Sequence, residues 1–220
     1  MTLRTRVLKA HPAILVLASF LLAITAGTLM LKLPIATKTG YIPWVDALFT
    51  ATSAVCVTGL VVVDTGSYFT VFGQCVTLVL IQIGGLGVMT ISVSLFRWLG
   101  KSVSFRHRMV MQDLFAHTPR EDIFGLVKSI VLFTLGAEVI GAVLLAIHWS
   151  RELPLLRAVY TAIYHSVSAF CNAGFSLFSD SMVRYSDNLL LNMTVCSLIV
   201  TGGIGLSLIH ISEPTRLRRI

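Results

Sequence analysis

The chain alternates long uncharged apolar runs with short polar connections, and the order of these pieces occurs twice. Residues 13–31 form the first run, roughly 19 residues or about 28 Å of helix, enough to cross a bilayer. Pro12 opens it, and a basic lead with Arg4, Arg6 and Lys9 precedes it. A secretory signal has the same ingredients, but this run exceeds a usual signal core and further apolar runs follow, so a first span is expected. Pro43 then predicts a short helix over residues 44–55, since its ring suits a first turn. After Gly59, a turn with Asp64 and Gly66 leads into an uncharged stretch, read as one tilted helix over residues 68–96. The most polar part of the chain follows at 97–122. The order then restarts, with a span over 130–149, a short helix opened by Pro154 and ending near Phe170, and a span over 189–206.

The short helices are the centre of this pattern. Sliding the chain on itself by about 115 residues places Ala47 on Ala162, Phe49 on Tyr164, Ser53 on Ser168, Cys56 on Cys171 and Gly59 on Gly174. Each copy (ALFTATSAVCVTGL and AIYHSVSAFCNAGF) is about 10–14 mostly apolar residues, too short to span and of the size of a re-entrant segment. Gly202, Gly203 and Gly205 in the last run echo Gly84, Gly85 and Gly87. The predicted fold is an all-α integral membrane protein of tandem membrane–pore–membrane units. Its parts are an N-terminal lead (1–12), a first unit (13–96), a basic linker (97–122), a second unit (123–206) and a tail (207–220).

Composition narrows the classes of function. Of 220 residues, 55% are hydrophobic and 12% charged, and the mean hydropathy is +0.86; a soluble domain carries about twice that charge. The formal charge of +7 does not point to nucleic acid, because the cations sit at the ends of apolar runs and not on one face. They set orientation instead: the basic N-terminus and the linker with Arg97, Lys101, Arg106, Arg108 and Arg120 belong in the cytoplasm. Lys38, Arg151 and Arg157 lie on the outer segments. Cys56, Cys75, Cys171 and Cys196 have neither zinc nor disulfide-framework spacing and are expected as small buried hydrophobes. No nucleophile–base pair, phosphate loop or two-carboxylate site occurs, so an enzyme is not expected, and neither is a bound cofactor.

A half-helix that stops at a glycine inside a membrane exposes main chain, which is tolerated only where protein buries it or water lines it. Such a wall offers carbonyl oxygens to a dehydrated monovalent cation, and the helix C-terminus ahead of it is partially negative. Gly59 and Gly174 reach the backbone angles that turn carbonyls inward, and the hydroxyls of Ser53, Thr58 and Ser168 are placed to cap freed backbone groups. Glu138, an acid within a span, is a site candidate by default; it is expected to hydrogen-bond a neighbouring helix or loop, as is Gln82. His165 is expected to pack on the second short helix, His107 to lie in the basic loop, and the glycine clusters to let helices approach. Rival readings are a secondary transporter with broken helices and a membrane scaffold or signalling module.

At these residues the chain resembles the Trk/Ktr/HKT superfamily of potassium transporters. The segment TATSAVCVTGL–VVVDT followed by QIGGLGVMT carries the likeness best, and the likeness extends over residues 12–206. It implies four membrane–pore–membrane repeats around one pore, of which two stand here. Val57, Thr58 and Gly59 would form one filter strand and Asn172, Ala173 and Gly174 another, with Cys56 and Cys171 at their feet. The implied substrate is K+, with Na+ as a coupled or activating ion. Glycine at 59 is similar to the potassium-selective members, and the short lead is similar to a Ktr-type membrane subunit, here its N-terminal half. That type implies a homodimer in the cell membrane over a ring of cytoplasmic nucleotide-binding regulatory subunits. The likeness stops after Leu206, where the tail is expected to be truncated or foreign.

Overall fold

The computed structural model describes residues 12–87 and 123–211. The basic lead, the 97–122 linker with His107, and residues 212–220 lie outside them. Seven α-helices occur among the described residues: α1 Pro12–Lys32, α2 Trp44–Val55, α3 Thr65–Tyr68, α4 Val71–Gly85, α5 Ile123–Trp149, α6 Leu155–Phe170 and α7 Leu189–Ile211. The extended pairing seen there is a single bridge, Thr37 to Phe69. The all-α expectation therefore stands for the described chain.

Helices α1, α2 and α4 pack together, as do α5, α6 and α7, and α4 meets α6 across the two groups. The short helices begin alike. Pro43 (φ −57°) and Pro154 (φ −54°) stand one residue outside the helix, where a fixed φ is harmless and no N–H is missed. Their carbonyls accept from Ala47 N and Ala158 N at 3.0 and 2.9 Å. At the top of α1, Lys32 donates to the Ile42 carbonyl and lies over the rings of Tyr41 and Trp44, fixing the entry to α2.

One expected helix is divided. The stretch read as 68–96 begins at Tyr68, the last residue of α3, breaks at Phe69 and Thr70, and restarts at Val71. The break has a cause remote in sequence: Thr70 N donates to Ala36 O at 3.0 Å and Lys38 N to Tyr68 O at 3.0 Å, while the Thr70 hydroxyl donates to Ile35 O at 2.6 Å. These bonds hold Thr70 extended (ψ 172°), where its side chain caps α4. At the other end α4 stops at Gly85, and residues 88–96 lie outside the described chain. The span expected over 130–149 starts earlier, at Ile123, since Lys128 at its exposed start does not interrupt helical bonding. The last helix passes Leu206 and runs to Ile211, so no break falls where the tail was expected to begin.

The surface is far more apolar than that of a water-soluble bundle, and several polar side chains are buried beside the apolar core. Leu22, Ile140 and Leu189 are exposed, whereas Thr77, Thr134, Ser166 and Gln74 are buried. Lys128–Trp149 is long and apolar enough to cross a membrane by length and composition, and only 28% of its most apolar stretch is buried, unlike the core helix of a soluble protein. The cysteines depart from expectation: Cys56, Cys75 and Cys196 are exposed and Cys171 is half-buried, all four free.

Close approach depends on two glycines in corresponding places. A Cβ on Gly84 would stand 2.1 Å from the Val55 carbonyl oxygen, and one on Gly202 would stand 1.8 Å from that of Phe170. Each glycine thus lets a long helix rest on the last residue of a short one. Gly136 has open space around it. We expect Gly84→Ala and Gly202→Ala each to destabilise the protein by about 1–3 kcal/mol through overpacking, and Gly136→Ala to be neutral or slightly stabilising. Thermal melts in detergent check this; equal effects at all three positions would refute the packing role.

Candidate functional site

Each short helix ends in the same way. Cys56 N donates to Thr52 O at 2.8 Å and Cys171 N to Val167 O at 2.9 Å, the last helical turns of α2 and α6. The chain then turns left-handed at Val57 (φ 54°) and Asn172 (φ 58°), and again at Gly59 (φ 79°) and Gly174 (φ 71°). A β-branched residue at positive φ is rare and costs about 1–3 kcal/mol, so Val57 is held there by its surroundings. Thr58 N donates to Ser53 O at 2.9 Å, and Ala173 N to Ser168 O at 2.7 Å. The serine hydroxyls then close both loops: Ser53 Oγ donates to Leu60 O and Ser168 Oγ to Phe175 O, each at 2.7 Å. The caps expected at Ser53 and Ser168 are thus present, whereas no such bond is seen from the Thr58 hydroxyl among the described residues.

The two loops meet at their glycines. A Cβ on Gly59 would lie 2.7 Å from the Ala173 carbonyl oxygen and 3.4 Å from Gly174 Cα; one on Gly174 would lie 3.3 Å from Gly59 Cα. Gly85 of α4 leaves room for the Cys171 side chain, with 2.4 Å between a Cβ there and Sγ. All ten residues singled out in the two loops and their supporting turns therefore gather in one region. A cavity of about 210 Å³ lies beside the second loop, lined among others by His165, Ser168, Asn172, Gly174 and Ser181.

Three polar groups brace this region. Glu138 is buried on α5; its carboxylate accepts from Gln82 Nε2 at 2.9 Å and its carbonyl from Ser166 Oγ at 2.7 Å, as expected of both residues. His165 is packed, as expected, its ring 5.0 Å from Trp149 and 5.1 Å from Phe178 between centroids. Its Nδ1 lies 2.8 Å from Thr161 O and so carries the hydrogen, which leaves Nε2 to accept from Ser176 Oγ at 3.0 Å and Leu177 N at 3.4 Å. Asp64, beyond the first loop, accepts from Gly66 N at 3.0 Å and Ser67 Oγ at 2.7 Å, and from Ser179 Oγ. Partial burial pushes its carboxyl up, but the bonds from Ser179, Ser67 and Gly66 outweigh that and hold it below the usual 3.8. Its contribution is complete above that value and is lost as pH falls through the lower folded one.

The family model described as "TrkH: Cation transport protein" matches residues 6–212. The chain belongs to that family. Among curated TrkH-like relatives, "Ktr system potassium uptake protein B" of Bacillus subtilis is 43% identical over 190 residues, 86% of this chain and 42% of that protein. The protein of the same name from Vibrio alginolyticus is 42% identical over 195 residues, 89% and 43% of the two chains. "Potassium/sodium uptake protein NtpJ" of Enterococcus hirae is 38% identical over 198 residues, 90% and 44%. The chain spans less than half the length of these relatives.

Sequence reasoning missed the left-handed turn at Val57 and Asn172 in this TrkH-family chain. Neither residue type favours positive φ as glycine does, although asparagine is the more tolerant of the two, so only Asn172 carried a weak local signal. It also missed the mutual contact of Gly59 and Gly174. We expect Ser53→Ala and Ser168→Ala each to leave a loop carbonyl unpaired and to cost about 1–3 kcal/mol. Hydrogen exchange at Thr58 N and Ala173 N reads this locally; unchanged protection there would show that the hydroxyls do not hold the loops.

Proposed function

We propose that these residues supply two pore-forming units of a potassium uptake protein, and that the loops after α2 and α6 are two strands of its selectivity filter. The observation that carries this reading is the matched pair of loops, bonded and turned alike, each placed at the C-terminal end of a short helix and meeting at Gly59 and Gly174. A permeating ion must replace its hydration shell with oxygen, and main-chain carbonyls supply it. Val57, Thr58 and Gly59, with Asn172, Ala173 and Gly174, provide those carbonyls in this proposal. The partially negative ends of α2 and α6 favour a cation beside them. Holding strained backbone in place before the ion arrives removes a reorganisation cost that a flexible loop would impose.

The units proposed are 13–96 and 123–206, each a span, a re-entrant short helix with its loop, and a second span, joined by the basic linker 97–122. The setting is the cell membrane, with lipid against the exposed apolar faces and the N-terminus in the cytoplasm. Two further units, a second copy of the protein and a cytoplasmic nucleotide-binding regulatory subunit complete the assembly by family resemblance. K+ is the ion proposed; Na+ is the competitor to test, since one relative's name includes both.

In a bacterium lacking potassium uptake, we expect the full-length protein to restore growth in low potassium. Gly59→Asp and Gly174→Asp should each raise the potassium requirement by roughly tenfold or more, the equivalent of about 1.4 kcal/mol. At both positions φ is positive, which a side chain tolerates poorly, and neighbouring main chain lies within 3.5 Å of the added atom. Unaltered growth with either substitution would overturn the filter assignment.

A further inference from the structure

The seam between the two helix groups carries tyrosine hydroxyls on one side only. Tyr164 of α6 and Thr77 of α4 are both fully buried, and their hydroxyls lie 3.0 Å apart. Thr77 Oγ1 donates to the Gln74 carbonyl at 2.8 Å, which uses its one hydrogen, so the Tyr164 hydroxyl is the donor between them. One turn earlier, Tyr160 donates to Gln74 Oε1 at 2.8 Å. Gln74 Nε2 in turn faces the carbonyls of Thr65, Gly66 and Phe69 at 3.1 to 3.3 Å. The positions in α2 that correspond by the internal repeat are Val45 and Phe49; neither has a hydroxyl and both are exposed. The hydroxyls therefore occur where α6 faces the first group and not where α2 faces outward.

We propose that Tyr164, through its hydrogen bond to Thr77, is a positioning residue for ion discrimination, setting where the second loop stands relative to the first. The inference rests on the filter reading above. Its ring shares one buried cluster with Val55, at the end of α2, and with Ala173 and Phe175 of the second loop. Apolar packing alone lets one helix slide along another by fractions of an ångström, whereas a buried directional bond sets register. A filter that tells ions apart by the number and placement of its oxygens is sensitive to such a slide. Tyr160 and Gln74 make the same link nearer the loop at 64–70.

The test is potassium uptake by the full-length protein, read as KM for K+ and as competition by Na+. Tyr164→Phe keeps the ring and leaves Thr77 bonded to Gln74 O, so folding and membrane content should hold. We expect KM for K+ to rise by roughly tenfold, with stronger Na+ competition and an unchanged melting midpoint in detergent. Thr77→Val removes the acceptor from the other side and should shift the same two readouts. The double variant, which removes both hydroxyls of this pair and leaves neither unpartnered, should be no worse than Tyr164→Phe alone, and it covers the case in which Thr77→Val fails to fold. Wild-type KM and wild-type Na+ competition in Tyr164→Phe would overturn the inference, as would a KM change that only tracks lost stability. Gly59→Asp separates the two readings. Where it abolishes uptake while Tyr164→Phe leaves discrimination intact, positioning alone fails; where Gly59→Asp is silent, the filter reading fails and takes this inference with it.

Discussion

Ending a helix away from water strands its last carbonyls and the N–H groups of the loop beyond it, and these must find partners inside the protein. In the proposed function the two short helices end in this way, and both tie their ends with the same device. A serine three residues before the terminal cysteine uses both its polar groups. Its carbonyl receives a loop N–H and its hydroxyl donates to a loop carbonyl seven residues on. With those ends tied, the intervening main chain is pushed into left-handed turns at Val57 and Asn172 and at the two glycines. The strain at Val57 is stored in the loop and offset by the serine bonds around it. Such preorganised main chain is what a cation site made of carbonyls requires in the proposed function.

The rest of the structure supports these loops from below and behind. Gly84 and Gly202 bring α4 and α7 onto the last carbonyls of α2 and α6, at distances that no side chain would allow. The Gln82–Glu138 bond ties α4 to α5 near the same level, and Ser166 ties α5 to α6. His165 reaches from α6 to the segment just past the second loop. Several of the buried polar residues thus sit at helix crossings that bear on the loops, while many large apolar side chains face outward. Exposed cysteines fit that arrangement, since a thiol on an uncovered helix face is compatible with lipid or with further protein.

The two helix groups are not equivalent despite their matched loops. The second has the tyrosine pair that meets Gln74 and Thr77, and an imidazole behind its loop; the first has valine, phenylalanine and threonine at those positions. Asp64 and Ser179, which correspond by the same 115-residue shift, bond to each other. These differences fall where one helix group meets the other.

Much of this was legible in the residues themselves. Apolar run length and the prolines at 43 and 154 determined the order of the long and short helices, because helix entry and span length are local properties. The internal repeat marked Ser53, Cys56 and Gly59 with their counterparts as one kind of place, and glycine suggested unusual backbone there. Tertiary structure alone decided the rest. The break at Thr70 is made by carbonyls more than thirty residues earlier, the left-handed Val57 contradicts its own preference, and the exposure of the cysteines depends on which faces meet. Contacts between distant segments supply the free energy for each of these, and no window of sequence contains both partners of such a contact.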